Sequence, residues 1–168
     1  MSYTAITGKG LGALANIKTL RTLVLDASST TDEGLRGVRA LKQLRELYLA
    51  ETAITENGLK HLEELHGLER LCLADTQIRG GLEHLQKMSR LVELDLSRTK
   101  LTDVAMEHLK ALKNLEKLAL RRTDATDVSL KYVADLRKLK TLYVRDTKFT
   151  DKGLDALKAA LPEAEIVP

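Results

Sequence analysis

Cys72 stands between Leu71 and Leu73 in the run LERLCLADT, so on an extended chain it faces away from both leucines. A catalytic thiol needs a base beside it to become a thiolate. None of the equivalent positions in the neighbouring repeats holds a histidine. Cys72 is therefore expected to be a surface or packing thiol rather than a nucleophile. His61, His84 and His108 recur 23 and 24 residues apart. A metal ion needs ligand nitrogens within about 2.1 Å, whereas side-by-side helices lie about 8–10 Å apart, so these three cannot share one ion. They are expected to fill space beside Leu62, Leu85 and Leu109. The glycines of TGKGLG (Thr7 to Gly12) lack the Gly-Lys-Ser/Thr ending and the preceding strand of a phosphate loop. No catalytic residue, metal or cofactor is expected, and the chain is not read as an enzyme.

The composition shows a mild charge excess on a highly charged surface. With 27 basic and 24 acidic residues in 168, the net charge is +3, too small to imply nucleic-acid binding. Aromatic residues make up 3%, so the core must be aliphatic. One cysteine cannot form an internal disulfide, and MSYTAITGKG contains no basic segment followed by an apolar run, so a reducing, cytoplasmic setting is expected. No apolar run approaches the roughly 18–20 residues of a membrane span. The two prolines fall in the last seven residues and nothing resembles a linker, which predicts a single domain over 1–168.

The elements that must position these groups repeat. Leucines open a unit at Leu20, Leu44, Leu68, Leu91, Leu115 and Leu139, followed by apolar residues three and five positions later, as in Leu47 and Leu49 or Leu94 and Leu96. That alternation predicts a short strand with one buried face. A hydroxyl follows at the eighth position each time (Ser28, Thr52, Thr76, Thr99, Thr123, Thr147), with Thr4 ahead of them, suited to satisfying turn backbone groups. Apolar residues then fall three apart, as in Leu59, Leu62 and Leu65, which is one helical face. Thr-Asp or Thr-Glu pairs mark each helix start, their oxygens placed to accept orphan amides and their charge suited to the helix dipole. Small residues just before the first helical leucine (Gly10, Gly34, Gly58, Gly81, Ala105, Ser129, Gly153) leave room for close approach to the neighbouring coil. One unit is a residue short at Ile78-Arg79-Gly80-Gly81, which predicts a local irregularity.

The pattern L-x-x-L-x-L-x-x-T-x-L/I, as in LERLCLADTQI and LVELDLSRTKL, resembles the leucine-rich repeat, with Thr where most members carry Asn or Cys. The Thr-Asp-x-Gly-Leu half is similar to the 24-residue helix-bearing kinds: ribonuclease-inhibitor, F-box-associated and bacterial GALA-type repeats. The resemblance covers about residues 3 to 161. It implies an α/β fold, a right-handed solenoid of about seven coils with parallel strands on the concave face and short helices on the convex face. It also implies protein binding through the concave face. The alternatives are the recognition part of a larger ubiquitin-ligase receptor or bacterial effector, and a structural, self-assembling array.

Strand residues between the leucines point out of that concave wall. Counting from each opening leucine, the second position carries Thr22, Glu46, Arg70, Glu93, Lys117 and Thr141, and the fourth Val24, Tyr48, Cys72, Asp95, Ala119 and Tyr143. The sixth carries Asp26, Ala50, Ala74, Ser97, Arg121 and Arg145, and the seventh Ala27, Glu51, Asp75, Arg98, Arg122 and Asp146. Early coils are acidic and later coils basic, so the wall is expected to run from acidic to basic and to steer a partner with an acidic patch to its later end. Tyr and Arg are favoured interface anchors, which selects Tyr48, Arg70, Asp95, Arg98, Lys117, Arg121, Arg122, Tyr143 and Arg145 as partner-binding residues. The first unit starts at Tyr3-Thr4-Ala5-Ile6 without a strand before it, so that end is expected to pair with another molecule or to belong to a longer chain. At the other end LPEAEIVP reads as a closing half-coil, Ile166 taking a strand leucine's place.

Overall fold

The structure is a computed structural model that describes residues 4–168; Tyr3 lies outside the described residues. Seven three-residue strands form one parallel sheet in chain order: β1 (Thr22–Val24), β2 (Glu46–Tyr48), β3 (Arg70–Cys72), β4 (Glu93–Asp95), β5 (Lys117–Ala119), β6 (Thr141–Tyr143) and β7 (Glu165–Val167). The register follows the repeat, Leu47 beside Leu71, Leu71 beside Leu94 and Leu94 beside Leu118. Ile166 pairs with Leu142, so it takes a strand leucine's place as expected. Thr4 bridges Ser28, placing the opening hydroxyl in the column predicted for it.

Each strand hands over to a short helical segment on the opposite side: α1 (Asp32–Leu35), α2 (Glu56–Leu59), α3 (Asp103–Met106), α4 (Asp127–Val133) and α5 (Asp151–Ala160). Several last one turn before tightening into 3₁₀ geometry, as at Arg36–Ala40 and Glu107–Ala111. The resulting coils are a right-handed solenoid, sheet on the concave side and helices on the convex side. Between the layers lies a continuous aliphatic core in which Leu47, Leu49, Leu73, Leu96, Leu118 and Leu120 have no accessible surface.

The hydroxyl column works as predicted: Thr52, Thr76, Thr99, Thr123 and Thr147 each donate to the carbonyl three residues back at 2.7–2.8 Å. Just before that column the backbone enters the left-handed region at Ala27, Glu51, Asp75, Arg98, Arg122 and Asp146, with φ between 51° and 59° and no glycine among them. At the first five of these turns the amide donates to the next coil, as where Arg98 N–H donates to the Arg121 carbonyl at 2.7 Å. This inter-coil bond offsets the cost of a conformation that L-residues disfavour.

At the helix starts the hydroxyls of Thr31, Thr55, Thr126 and Thr150 accept amides of the first turn, whereas Thr102 makes no such bond. The aspartates depart from the expected cap. Asp32, Asp103 and Asp127 reach into the next coil, each accepting both the amide and the hydroxyl of its threonine (Thr55, Thr126 and Thr150) at 2.6–2.8 Å. Gly58 and Gly153 leave room for this grip, since a Cβ there would lie 2.5 Å from Asp32 Oδ1 or 2.3 Å from Asp127 Oδ1. In the short unit the α-helix is replaced by a 3₁₀ turn over Leu82–Leu85, opened by Gly81 at φ 78°, while the strand register is kept. The predicted irregularity is there.

Candidate interaction surface

The strand positions between the leucines place Tyr48, Cys72, Asp95, Ala119 and Tyr143 side by side across five strands. The two tyrosines stand at either end of this column, and the smaller Cys72, Asp95 and Ala119 between them leave a hollow of about 340 Å³ in the sheet face. Its remaining lining includes Arg70, Glu93, Lys117 and Arg121. Of the nine side chains selected from sequence, Tyr48, Arg70, Asp95, Lys117, Arg121 and Tyr143 meet here. Arg98 and Arg122 lie apart, lining a shallower groove at the strand ends with Asp75 and Asp146. Arg145 continues the Arg121 column on the next coil and is exposed.

The charges expected to form an acidic-to-basic gradient pair across neighbouring strands. In-register parallel pairing sets members of one column beside each other, so opposite signs on adjacent strands neutralise. Arg70 bonds Glu46 on one side and lies 3.4 Å from Glu93 on the other, and Lys117 meets Glu93 at 3.0 Å. Arg98 pairs with Asp75 at 2.7 Å and Arg122 with Asp146 at 3.0 Å. Most of the late cations are thus already compensated. Glu46 and Glu93 were not among the selected residues, although the alternating signs at the second position carried the signal. Desolvation pushes the Glu46 carboxyl up, but Arg70, Thr22 and Tyr48 together outweigh it and hold it below the usual range. Hydrogen bonding to Glu46, with Glu93 nearby, raises the Arg70 guanidinium, and the Glu93 bond raises Lys117.

Two residues lining the hollow stay outside this ladder. Arg121 has no carboxylate within 4.0 Å among the described residues; its guanidinium lies 4.0 Å from the centroid of the Tyr143 ring, a cation–π contact. Asp95 accepts the Ser97 amide at 2.8 Å and makes no ion pair among the described residues. Burial pushes the Cys72 thiol up to about 11, with Asp95 and Asp26 adding to the shift, the opposite of what a nucleophile requires.

The histidine column corrects the space-filling expectation in part. His61 is buried as expected, its pKa lowered by burial and by Lys60, Arg39 and Arg36. His84 instead bonds Glu63, and His108 lies 3.8 Å from Glu83, because helices stacked at this spacing bring polar side chains of adjacent coils together. Among the described residues no group of three or more His, Cys, Asp or Glu is placed to hold a metal ion, and no helix is long and apolar enough to cross a membrane.

A family model described as leucine rich repeat matches residues 89–149. None of the curated proteins matches the chain. Among solved structures, an internalin C2 of Listeria monocytogenes is 28% identical with a TM-score of 0.76, over 94% of this chain and 63% of that one. A leucine-rich-repeat protein of Leptospira interrogans is 24% identical with a TM-score of 0.76, over 91% and 38%. An internalin (inlF) of Listeria monocytogenes is 20% identical with a TM-score of 0.74, over 95% and 50%. The chain therefore spans less than two thirds of each of these structures. The leucine-rich repeat matched over 89–149 has the same coil that recurs from β1 to β7, so the chain folds as a leucine-rich-repeat solenoid.

Proposed function

We propose that the chain is a non-enzymatic protein-interaction module that binds its partner through the concave sheet face. The observation that carries this reading is the hollow between Tyr48 and Tyr143, where two aromatic side chains flank small residues on a rigid sheet. Tyrosine supplies contact area with little conformational entropy to lose. The raised Cys72 thiol argues against nucleophilic chemistry at that place. The lone cysteine supports a reducing, cytoplasmic setting. The test is affinity capture with mass spectrometry on wild type beside a Tyr48→Ala, Tyr143→Ala variant. Proteins retained by wild type and lost from the variant are expected; an identical set on both contradicts the reading.

A second reading, that the chain is the recognition part of a longer protein, is favoured by the greater length of its structural relatives. Self-association through the first coil is supported by Ile6 and Ile17, which are exposed there. Light scattering that finds only monomer at high concentration would exclude that contact.

A further inference from the structure

Five charged side chains line the hollow, and two of the cations, Arg70 and Lys117, are matched in the cross-strand ladder by Glu46 and Glu93. The unmatched charge is concentrated at one side. The Arg121 guanidinium carbon lies over the Tyr143 ring, 4.0 Å from its centroid, and Arg145 follows in the same column one coil further on. The nearest carboxylate to Arg145, Asp146, is 4.0 Å away and is already held by Arg122 at 3.0 Å. A guanidinium resting on an aromatic ring has its plane fixed, while its N–H edges stay free to donate two parallel bonds to an oxyanion. Asp95, also unpaired with a cation, faces the same hollow from the neighbouring coil and repels a second negative charge.

We propose that this corner of the hollow is an anchor for a single carboxylate side chain of a partner protein, held by Arg121 and Arg145 beside Tyr143, and that Asp95 excludes runs of acidic residues and nucleic acid. The inference rests on the concave-face reading above and adds to it the chemistry of the partner. The broad basic half of the wall is not required, since Lys117, Arg98 and Arg122 have carboxylates of their own.

The test is selection of random peptides displayed on phage against the wild-type protein, followed by titration of the enriched peptides. Enriched peptides are expected to share one Glu or Asp, and its change to Gln is expected to weaken binding to wild type about tenfold or more. The same change should have little effect on an Arg121→Glu, Arg145→Glu protein. Replacing that residue by Lys should restore binding to the charge-reversed protein, which also shows that the variant is folded. Peptides that need Tyr48 and Tyr143 but are indifferent to the anchor's charge overturn this inference and leave the concave-face reading standing. A selection that yields no peptide weakened by the charge reversal overturns it as well. Enriched peptides indifferent to the tyrosines as well count against both readings.

Discussion

Asp103 grips Thr126 of the following coil twice: its Oδ1 accepts the backbone amide at 2.8 Å and its Oδ2 the hydroxyl at 2.7 Å. The same pair of bonds joins Asp32 to Thr55 and Asp127 to Thr150, so these carboxylates act as rungs between coils. Removing one leaves a half-buried amide and hydroxyl without partners, and Asp103→Ala is expected to cost about 1–3 kcal/mol. Asp103→Asn keeps an acceptor for the amide and should lose less. Urea titration of both variants checks this; a loss for Asp103→Ala within the scatter of ordinary surface changes would mean the rung contributes nothing.

Ala27 has φ 51°, in the left-handed region, although it has a Cβ. Relief of that strain, about 1–2 kcal/mol, exceeds the entropy lost on placing glycine there, about 0.5–1 kcal/mol. Ala27→Gly is therefore expected to leave stability unchanged or raise it by up to about 1.5 kcal/mol. Thermal unfolding reads the sign, and a clear drop in melting temperature would contradict the strain argument.

Burial lowers the His61 pKa from its ordinary value of 6.5. The unfolded chain then takes up the proton more readily than the folded one, so stability is complete above about pH 6.5 and falls as the pH drops through that value toward the folded pKa. Stability measured from about pH 7.5 down to about pH 5.5 should decline for wild type and decline less for His61→Gln. Equal slopes would show that His61 is not the group responsible.

With its thiol pushed up to about 11, Cys72 has very little thiolate near neutrality. Against the ordinary value of 9.0, the thiolate fraction is lower by about a hundredfold, and a disulfide reagent at about pH 8 should react correspondingly more slowly with the native than with the denatured chain. Rapid native reaction would reopen the question of a functional thiol.

The coil itself was legible because its determinants are local and repeat. Leu44, Leu47 and Leu49 recur at fixed spacing, and Thr52 meets the carbonyl three residues behind it. Less legible was whatever depends on the contact between coils. Asp103 and Thr126 are 23 residues apart, so Asp103 looks like a cap for its own helix until the stacking is known. The left-handed turn at Arg98 and Arg122 carries no glycine to announce it. The candidate site was legible as a set of columns, and Tyr48, Arg121 and Tyr143 do line one hollow. The pairing of Arg98, Lys117 and Arg122 with Asp75, Glu93 and Asp146 was not legible, because each pair joins residues about one repeat apart.

The proposed function requires that the concave face of the solenoid, not the helical face, meets the partner. The most direct measurement is the dissociation constant of a captured partner for wild type, for Arg121→Glu with Arg145→Glu on the sheet side, and for Lys87→Glu with Lys152→Glu on the helical side, with melting temperatures alongside. Both variants change the net charge equally. Binding abolished by the first pair and kept by the second, with melting temperatures nearly unmoved, is the predicted result. Affinity kept by the first pair, or lost equally in both, would contradict it.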